Sequence, residues 1–91
     1  NQNPAFGIDN DRPGKAVIRM RGGIARWHAT TIWHPSQSDV EIEPDEVLER
    51  TVEFRSCREF ARYLMSMLDG IESIEPRYLC DEVKALAAHA A

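Results

Sequence analysis

The sequence predicts an α+β fold: a four-stranded antiparallel sheet, two helices on one of its faces, and an extra helix at the C-terminus. Two kinds of hydrophobic periodicity alternate along the chain, in the order strand, helix, strand, strand, helix, strand, helix. The length of 91 residues allows one hydrophobic core. Apolar residues make up 43% of the chain and charged residues 29%, which excludes a wholly disordered chain.

The first half of the chain predicts two strands separated by a short helix. Residues 16–21 alternate between two faces, which indicates a half-buried strand, and the glycines at 22–23 end it. Apolar positions at helical spacing predict a helix over 24–31, and Pro35 stops it because the residue before a proline disfavours helical geometry. Apolar and acidic residues alternate over 40–43, which predicts a second strand with an acidic outer face.

The second half predicts a hairpin and then a well-marked helix. A turn at 44–46 leads into a third strand over 48–54, which we expect to run antiparallel to the second. The apolar face of this strand is predicted to consist of Leu48, Val52 and Phe54. Ser56 and Glu59 form a capping box that begins a helix, and Gly70 is expected to end it. The apolar side of the helix is predicted to consist of Cys57, Phe60, Ala61, Leu64 and Leu68.

The last part of the chain predicts a short fourth strand over 71–75, closed by Pro76, and a final helix from Leu79 onward. An apolar seam on that helix consists of Leu79, Val83, Leu86 and Ala90. The first six elements have the order βαββαβ, which is typical of the split βαβ or ferredoxin-like arrangement. We expect the final helix to be surplus to that core.

Charge is distributed unevenly along the chain. The net charge is −4, yet residues 12–38 contain five basic residues and no acid, and residues 39–49 contain six acids and no base. A basic strip near tryptophans is able to hold phosphates and stack bases. The candidate ligand-binding or nucleic-acid-binding residues are Arg19, Arg21, Arg26, Trp33, His34 and Gln37. The alternative is an ordinary solvated sheet face, in which the arginines of the first strand lie opposite Glu49 and Glu53.

The sequence contains no recognisable catalytic, metal or cofactor motif. His28 and His34 lack a cysteine or carboxylate at ligand spacing; we expect His28 to be partly buried and His34 to bond the backbone or cap a turn. Cys57 and Cys80 lack the spacing of a redox or zinc site and are interpreted as reduced, buried thiols of a cytoplasmic protein. No apolar run approaches the roughly 18 residues of a membrane-spanning helix. We therefore expect neither an enzyme, nor a bound cofactor, nor a membrane partner.

The segment 19–37, which ends in Trp-His-Pro-Ser-Gln, resembles the WCX domain, the C-terminal extension of WYL-domain transcriptional regulators. Residues 6–8, Phe-Gly-Ile, are similar to the sequence found in such chains where the WYL domain ends. Residues 16–20 resemble the first WCX strand, and 56–68 resemble the central helix of the family. The Ile-Glu-Pro at 74–76, with the helix after it, resembles the family's ending.

This resemblance implies that residues 1–14 are a linker from a preceding WYL domain and that 15–91 form a WCX domain. It implies a ferredoxin-like regulatory and dimerisation domain of a bacterial, cytoplasmic transcription regulator whose DNA-binding helix-turn-helix lies outside this fragment. The implied partners are a second copy in a homodimer and the WYL domain of the same chain. The alternative is an effector-binding lobe that contacts a nucleotide or single-stranded nucleic acid together with the WYL domain.

Overall fold

A computed structural model describes residues 12–90 of the chain. In chain order the elements are β1 (Gly14–Arg21), α1 (Gly22–His28), β2 (Ser38–Glu43), β3 (Val47–Phe54), α2 (Cys57–Met65), a 3₁₀ turn (Leu68–Gly70), β4 (Ile71–Glu75) and α3 (Arg77–Ala90). The predicted order of strands and helices is confirmed. The linker predicted over 1–14 lies almost entirely outside the described residues, and the Phe-Gly-Ile segment at 6–8 lies wholly outside them.

The four strands form one antiparallel sheet with the order β2-β3-β1-β4, so the predicted α+β class is confirmed. β1 lies inside the sheet and pairs with both β3 and β4. Alternate residues of a strand point to opposite faces. In β1 the inward residues Ala16, Ile18 and Met20 are fully buried, whereas Lys15 and Arg21 are exposed.

One core lies between this face of β1 and the three helices. Ala25 from α1, Leu64 from α2 and Val83 from α3 belong to the same buried cluster as Ile18 and Met20. Burying each large apolar side chain stabilises the fold by about 1.5–3 kcal/mol. The opposite face of the sheet carries no helix in residues 12–90, and we call it the open face. Its charged side chains include Lys15, Arg19 and Arg21 from β1, and Glu49 and Glu53 from β3.

The final helix follows the six βαββαβ elements as an extra element, as predicted, and it also contributes to the hydrophobic core. Leu79 is 0% exposed and Val83 is 1% exposed, and both lie in the central cluster. Leu86 packs against that cluster while remaining partly exposed. The helix α3 packs against both α2 and β4.

The first helix begins and ends earlier than predicted. It starts at Gly22 and ends at His28, seven residues before Pro35, so the proline is not what stops it. The chain turns after Ala29, whose N–H still bonds to the carbonyl of Ala25, and Thr31 N–H then bonds to the carbonyl of His28. The carbonyls of His28 and Thr31 in this turn accept hydrogen bonds from the side chain of Arg50 on β3.

The second helix begins where predicted but ends sooner. The Ser56 side chain accepts a 3.1 Å hydrogen bond from Glu59 N–H, which confirms the N-cap. The helix ends at Met65, so the residues after it no longer follow the helical periodicity. Leu68 is therefore 38% exposed, and Met67 is buried in its place. Gly70 does not end the helix; it is the last residue of the 3₁₀ turn, where it packs directly beneath Ile24.

Candidate functional site around Arg50

The most unusual side chain in the described residues is Arg50, a charged group in the middle of the apolar face of β3. It is 0% exposed and lies between Leu48 and Val52, which are also buried. Removing a guanidinium from water is costly unless the charge is paired and hydrogen-bonded. The contacts of Arg50 therefore determine how the surrounding chain is arranged.

Arg50 binds three parts of the chain at once. Its Nε and Nη2 donate to the two carboxylate oxygens of Asp39 at 2.8 and 2.9 Å, a bidentate ion pair with β2. The same Nη2 donates to the carbonyl oxygens of His28, at 2.7 Å, and Thr31, at 3.1 Å. These bonds hold the end of α1 and the segment that follows it against the sheet. They also explain why α1 stops at His28.

Trp33 covers this cation. The guanidinium carbon of Arg50 lies 4.6 Å from the centre of the Trp33 ring, a cation–π geometry. The indole Nε1–H of Trp33 donates to His28 Nδ1 at 3.0 Å, and its backbone N–H donates to the Gln37 side-chain oxygen at 2.7 Å. One hydrogen bond and one cation thus fix the indole, and Gln37 holds the backbone of the same residue.

The polar residues of the Trp-His-Pro-Ser-Gln segment hold the segment itself together. Gln37 also donates through Nε2 to the carbonyl of Thr31 at 3.2 Å. His34 Nδ1 accepts from the backbone N–H of Ser36 at 3.1 Å, which confirms the expected backbone bond. The Ser36 hydroxyl in turn accepts from the backbone N–H of Glu53 at 3.0 Å. The hydrogen-bonding groups of this motif serve the loop and its attachment to β3.

His28 is 6% exposed, and its bonds determine which of its nitrogens carries the proton. An indole N–H is a donor only, so Nδ1 must accept from Trp33 and the proton of the neutral ring resides on Nε2. Burial, and then the nearby charge of Arg50, lower the pKa of His28 below its ordinary value of 6.5. The other ionisable side chain against the ring is Tyr63, whose ring centre lies 6.4 Å away. His28 is therefore a neutral structural acceptor.

The lowered pKa predicts that the domain loses stability as the pH falls below 6.5. The unfolded chain binds a proton at His28 near pH 6.5 and the folded chain only at lower pH, so acid favours unfolding. Urea unfolding at pH 7.5, 6.5 and 5.5 measures this. His28→Asn keeps a side-chain acceptor for Trp33 but does not titrate, so its free energy of unfolding should fall less steeply. Equal slopes for the wild type and His28→Asn would contradict the assignment.

The structure does not bring the basic candidate residues together with Trp33. Arg19 and Arg21 lie on the open face, opposite the side on which Trp33 packs. Arg19 lies across from Glu49 and forms a 2.9 Å ion pair with it, as the solvated-face interpretation predicts. Arg21 instead lies 3.7 Å from Glu72 of β4.

Arg26 occupies a third place, at the turn between β2 and β3. Its Nη1 donates to the carbonyl of Asp45 at 3.1 Å and lies 3.7 Å from the Glu46 carboxylate. The three arginines therefore do not form one phosphate-binding cluster with Trp33. In residues 12–90, no group of three His, Cys, Asp or Glu side chains is placed to hold a metal ion. No helix in this part of the chain is long and apolar enough to cross a bilayer.

An aromatic pocket opens beside Trp33. It has a volume of about 360 Å³, within the range of small-molecule sites. We call it the aromatic pocket and define it by its lining residues: Ile32, Trp33, His34, Val52, Glu53, Phe60 and Tyr63. It therefore lies between the loop after α1, strand β3 and helix α2.

Sequence reasoning identified Trp33, His34 and Gln37 but missed Arg50 and Asp39. The available signal was strand alternation, which places Arg50 on the same face as its apolar neighbours two residues away on either side. An inward-facing arginine requires a buried acceptor, and Asp39 is the acid directly across from it in the register with β2. The spacing of residues in the sequence does not predict that the carbonyls of His28 and Thr31 also accept hydrogen bonds from Arg50.

One comparison with known proteins bears on the chain. The profile of the WCX domain matches residues 12–91, nearly the whole sequence. No curated protein matches the chain. The match agrees with the resemblance of the Trp-His-Pro-Ser-Gln segment, whose residues now have structural roles. The chain belongs to the WCX-domain family, a family of regulatory domains associated with WYL-domain transcription regulators.

Proposed function

We propose that this chain is the C-terminal regulatory and dimerisation domain of a bacterial, cytoplasmic WYL-family transcription regulator. The DNA-binding helix-turn-helix and the WYL domain would belong to the rest of the regulator. The proposal rests first on membership of the WCX family. The observation that carries the dimerisation part is the open face of the sheet.

We further propose that the fold is ferredoxin-like. Read from the other edge, the strand order is β4-β1-β3-β2, and all neighbours are antiparallel. The order of the first six main elements is βαββαβ, which supports this arrangement. In such a fold the helices leave one sheet face available to a partner.

The charges of the open face are self-complementary. Lys15, Arg19 and Arg21 form a basic column on β1, next to an acidic column of Glu49 and Glu53 on β3. A two-fold axis that lies between two facing sheets and runs parallel to these strands places the basic column of one copy over the acidic column of the other. The Arg19–Glu49 pair, with side chains 37% and 30% exposed, is worth little in isolation and is able to exchange partners.

The size of the open face limits the affinity. Four strands about 4.8 Å apart and up to eight residues long present roughly 400–500 Å². A stable dimer needs about 800 Å² from each partner. We therefore expect a weak, electrostatically assisted dimer of the isolated domain, which the WYL domain would strengthen in the full regulator.

Sedimentation equilibrium or light scattering at tens of micromolar protein tests the dimer. We expect association in about 0.05 M sodium chloride and dissociation in about 0.5 M, because salt screens exposed charges. The double variant Arg19→Glu/Arg21→Glu should weaken association by about tenfold or more. The matched control Arg58→Glu/Arg62→Glu makes the same change of net charge on α2, away from the open face, and should dimerise like the wild type.

A charge-swap mixture separates loss of the interface from loss of the fold. The Arg19→Glu/Arg21→Glu chain should pair with a Glu49→Lys/Glu53→Lys chain although neither pairs with itself. A strict monomer at tens of micromolar in low salt would count heavily against dimerisation through this face.

The second candidate function is an effector-binding lobe that contacts a nucleotide or single-stranded nucleic acid together with the WYL domain. The aromatic pocket favours it, since stacked bases are held by aromatic side chains. Titrating short single-stranded DNA while following tryptophan fluorescence tests it, and charge reversal at Arg19 and Arg21 should abolish the signal if these residues bind phosphate. Because those arginines lie on the opposite face from Trp33, retention of the signal in the variant would indicate contact at the helix side instead.

A further inference from the structure

We infer that the aromatic pocket is a binding site for a single aromatic ring that carries no negative charge. The inference does not depend on dimerisation, because the pocket is complete within one chain and lies on the helix side of the sheet. Three features of the pocket carry it: its walls, its charge and its rigidity.

The walls are aromatic and set at steep angles to one another. The ring centres of Trp33 and Tyr63 are 5.4 Å apart with their planes at 89°, and those of Trp33 and Phe60 are 5.9 Å apart at 70°. Rings at such angles present both faces and edges to a guest, and aromatic pairs prefer offset-stacked or edge-to-face contacts. Ile32 and Val52 complete an apolar lining.

The charges at the pocket disfavour an anion. No lysine or arginine lines it; the one acid in the lining, Glu53, belongs to β3 and alternates onto the open face, and the other polar lining residues are His34 and Tyr63. The nearest buried cation, Arg50, lies behind the Trp33 ring and is already paired with both oxygens of Asp39. A carboxylate or phosphate in the pocket would lose water without gaining a basic partner.

The pocket is also preorganised. The Trp33 indole is fixed by His28 and by the Arg50 guanidinium, so little side-chain entropy remains to be lost when a ligand binds. By contrast, Trp27 is 70% exposed on α1 and does not line the pocket. The two tryptophans therefore provide a reporter and an internal control in the same molecule.

The test is an NMR titration of the 91-residue chain with benzyl alcohol, with the two indole N–H signals followed separately. We expect the Trp33 signal to shift and saturate at millimolar ligand, while the Trp27 signal stays unchanged. Cyclohexylmethanol has nearly the same size but no aromatic ring, and benzoate carries a negative charge on the same ring. Both should bind at least about threefold more weakly than benzyl alcohol.

Variants complete the test. Tyr63 is 43% exposed, so Tyr63→Ala should leave the chain folded, and it should weaken benzyl alcohol binding by about twofold to tenfold. Trp27→Ala, the control outside the pocket, should leave binding unchanged. Parallel, non-saturating shifts of both indoles would overturn the inference, as would equal affinity for cyclohexylmethanol or for benzoate. A well-dispersed spectrum of Tyr63→Ala with undiminished binding would also contradict it.

Discussion

Replacing Arg50 with methionine should lower the free energy of unfolding by about 3 kcal/mol or more, the largest effect we expect from any single substitution. The change removes the cation but leaves its acceptors in place: the Asp39 carboxylate, 27% exposed, and the carbonyls of His28 and Thr31. Breaking a buried ion pair by removing one partner typically costs about 3–5 kcal/mol. Urea unfolding, followed by circular dichroism, measures the loss.

Arg19→Met is the matched control for this prediction. Arg19 also lies on an inner strand and also pairs with a carboxylate at 2.9 Å, but its side chain is 37% exposed. Its loss should cost no more than about 1 kcal/mol. Asp39→Asn, which retains one acceptor oxygen, provides a milder variant of the same contact and should cost about 1–3 kcal/mol. If the Arg50 and Arg19 variants lose similar amounts of unfolding free energy, Arg50 does not hold the surrounding chain in the way described.

The substitution Gly70→Ala should destabilise the domain by about 1–3 kcal/mol through steric overlap. Gly70 is buried, and a Cβ added there would meet Cβ and Cγ1 of Ile24 well inside van der Waals contact. Since Ile24 is branched at Cβ, it is unable to swing its chain away, and α1 must shift relative to the 3₁₀ turn. Thermal and urea unfolding both report the change.

Gly23→Ala is the control for Gly70→Ala. A Cβ at Gly23 meets only Arg26 Nη2, at an ordinary distance of 3.9 Å, and the residue lies in α1. Alanine at a compatible position should be neutral or stabilise the chain by about 0.5–1 kcal/mol. The double variant Gly70→Ala/Ile24→Ala should lose less than the sum of the two single variants, because removing Cγ1 and Cγ2 of Ile24 relieves part of the overlap. Strict additivity would contradict this contact.

The elements of the fold were predictable because hydrophobic periodicity is local. The alternation in β1 and the N-cap at Ser56 needed no tertiary information, and both are present. Two boundaries were not predictable in the same way. The end of α1 is determined by Arg50, 22 residues from His28 in sequence, and the role of Gly70 is determined by Ile24 on another element.

The sequence motif of the candidate site was recognisable, but the hydrogen-bond partners of its polar side chains were not. Trp33, His34 and Gln37 do mark a distinctive place, yet their polar atoms are bonded within the loop or to His28. The partner of a polar side chain is not encoded in its spacing, and free and satisfied groups therefore look alike in sequence. What remains available to a ligand at this place is the apolar surface of the rings.

The most direct test of the account is the state of the Trp33–His28 bond at neutral pH. We predict slow solvent exchange for the Trp33 indole N–H, fast exchange for that of Trp27, and nitrogen shifts that place the His28 proton on Nε2 alone. Equal exchange rates for the two indoles, together with a His28 ring that averages between both tautomers, would show that the segment is not held around Arg50.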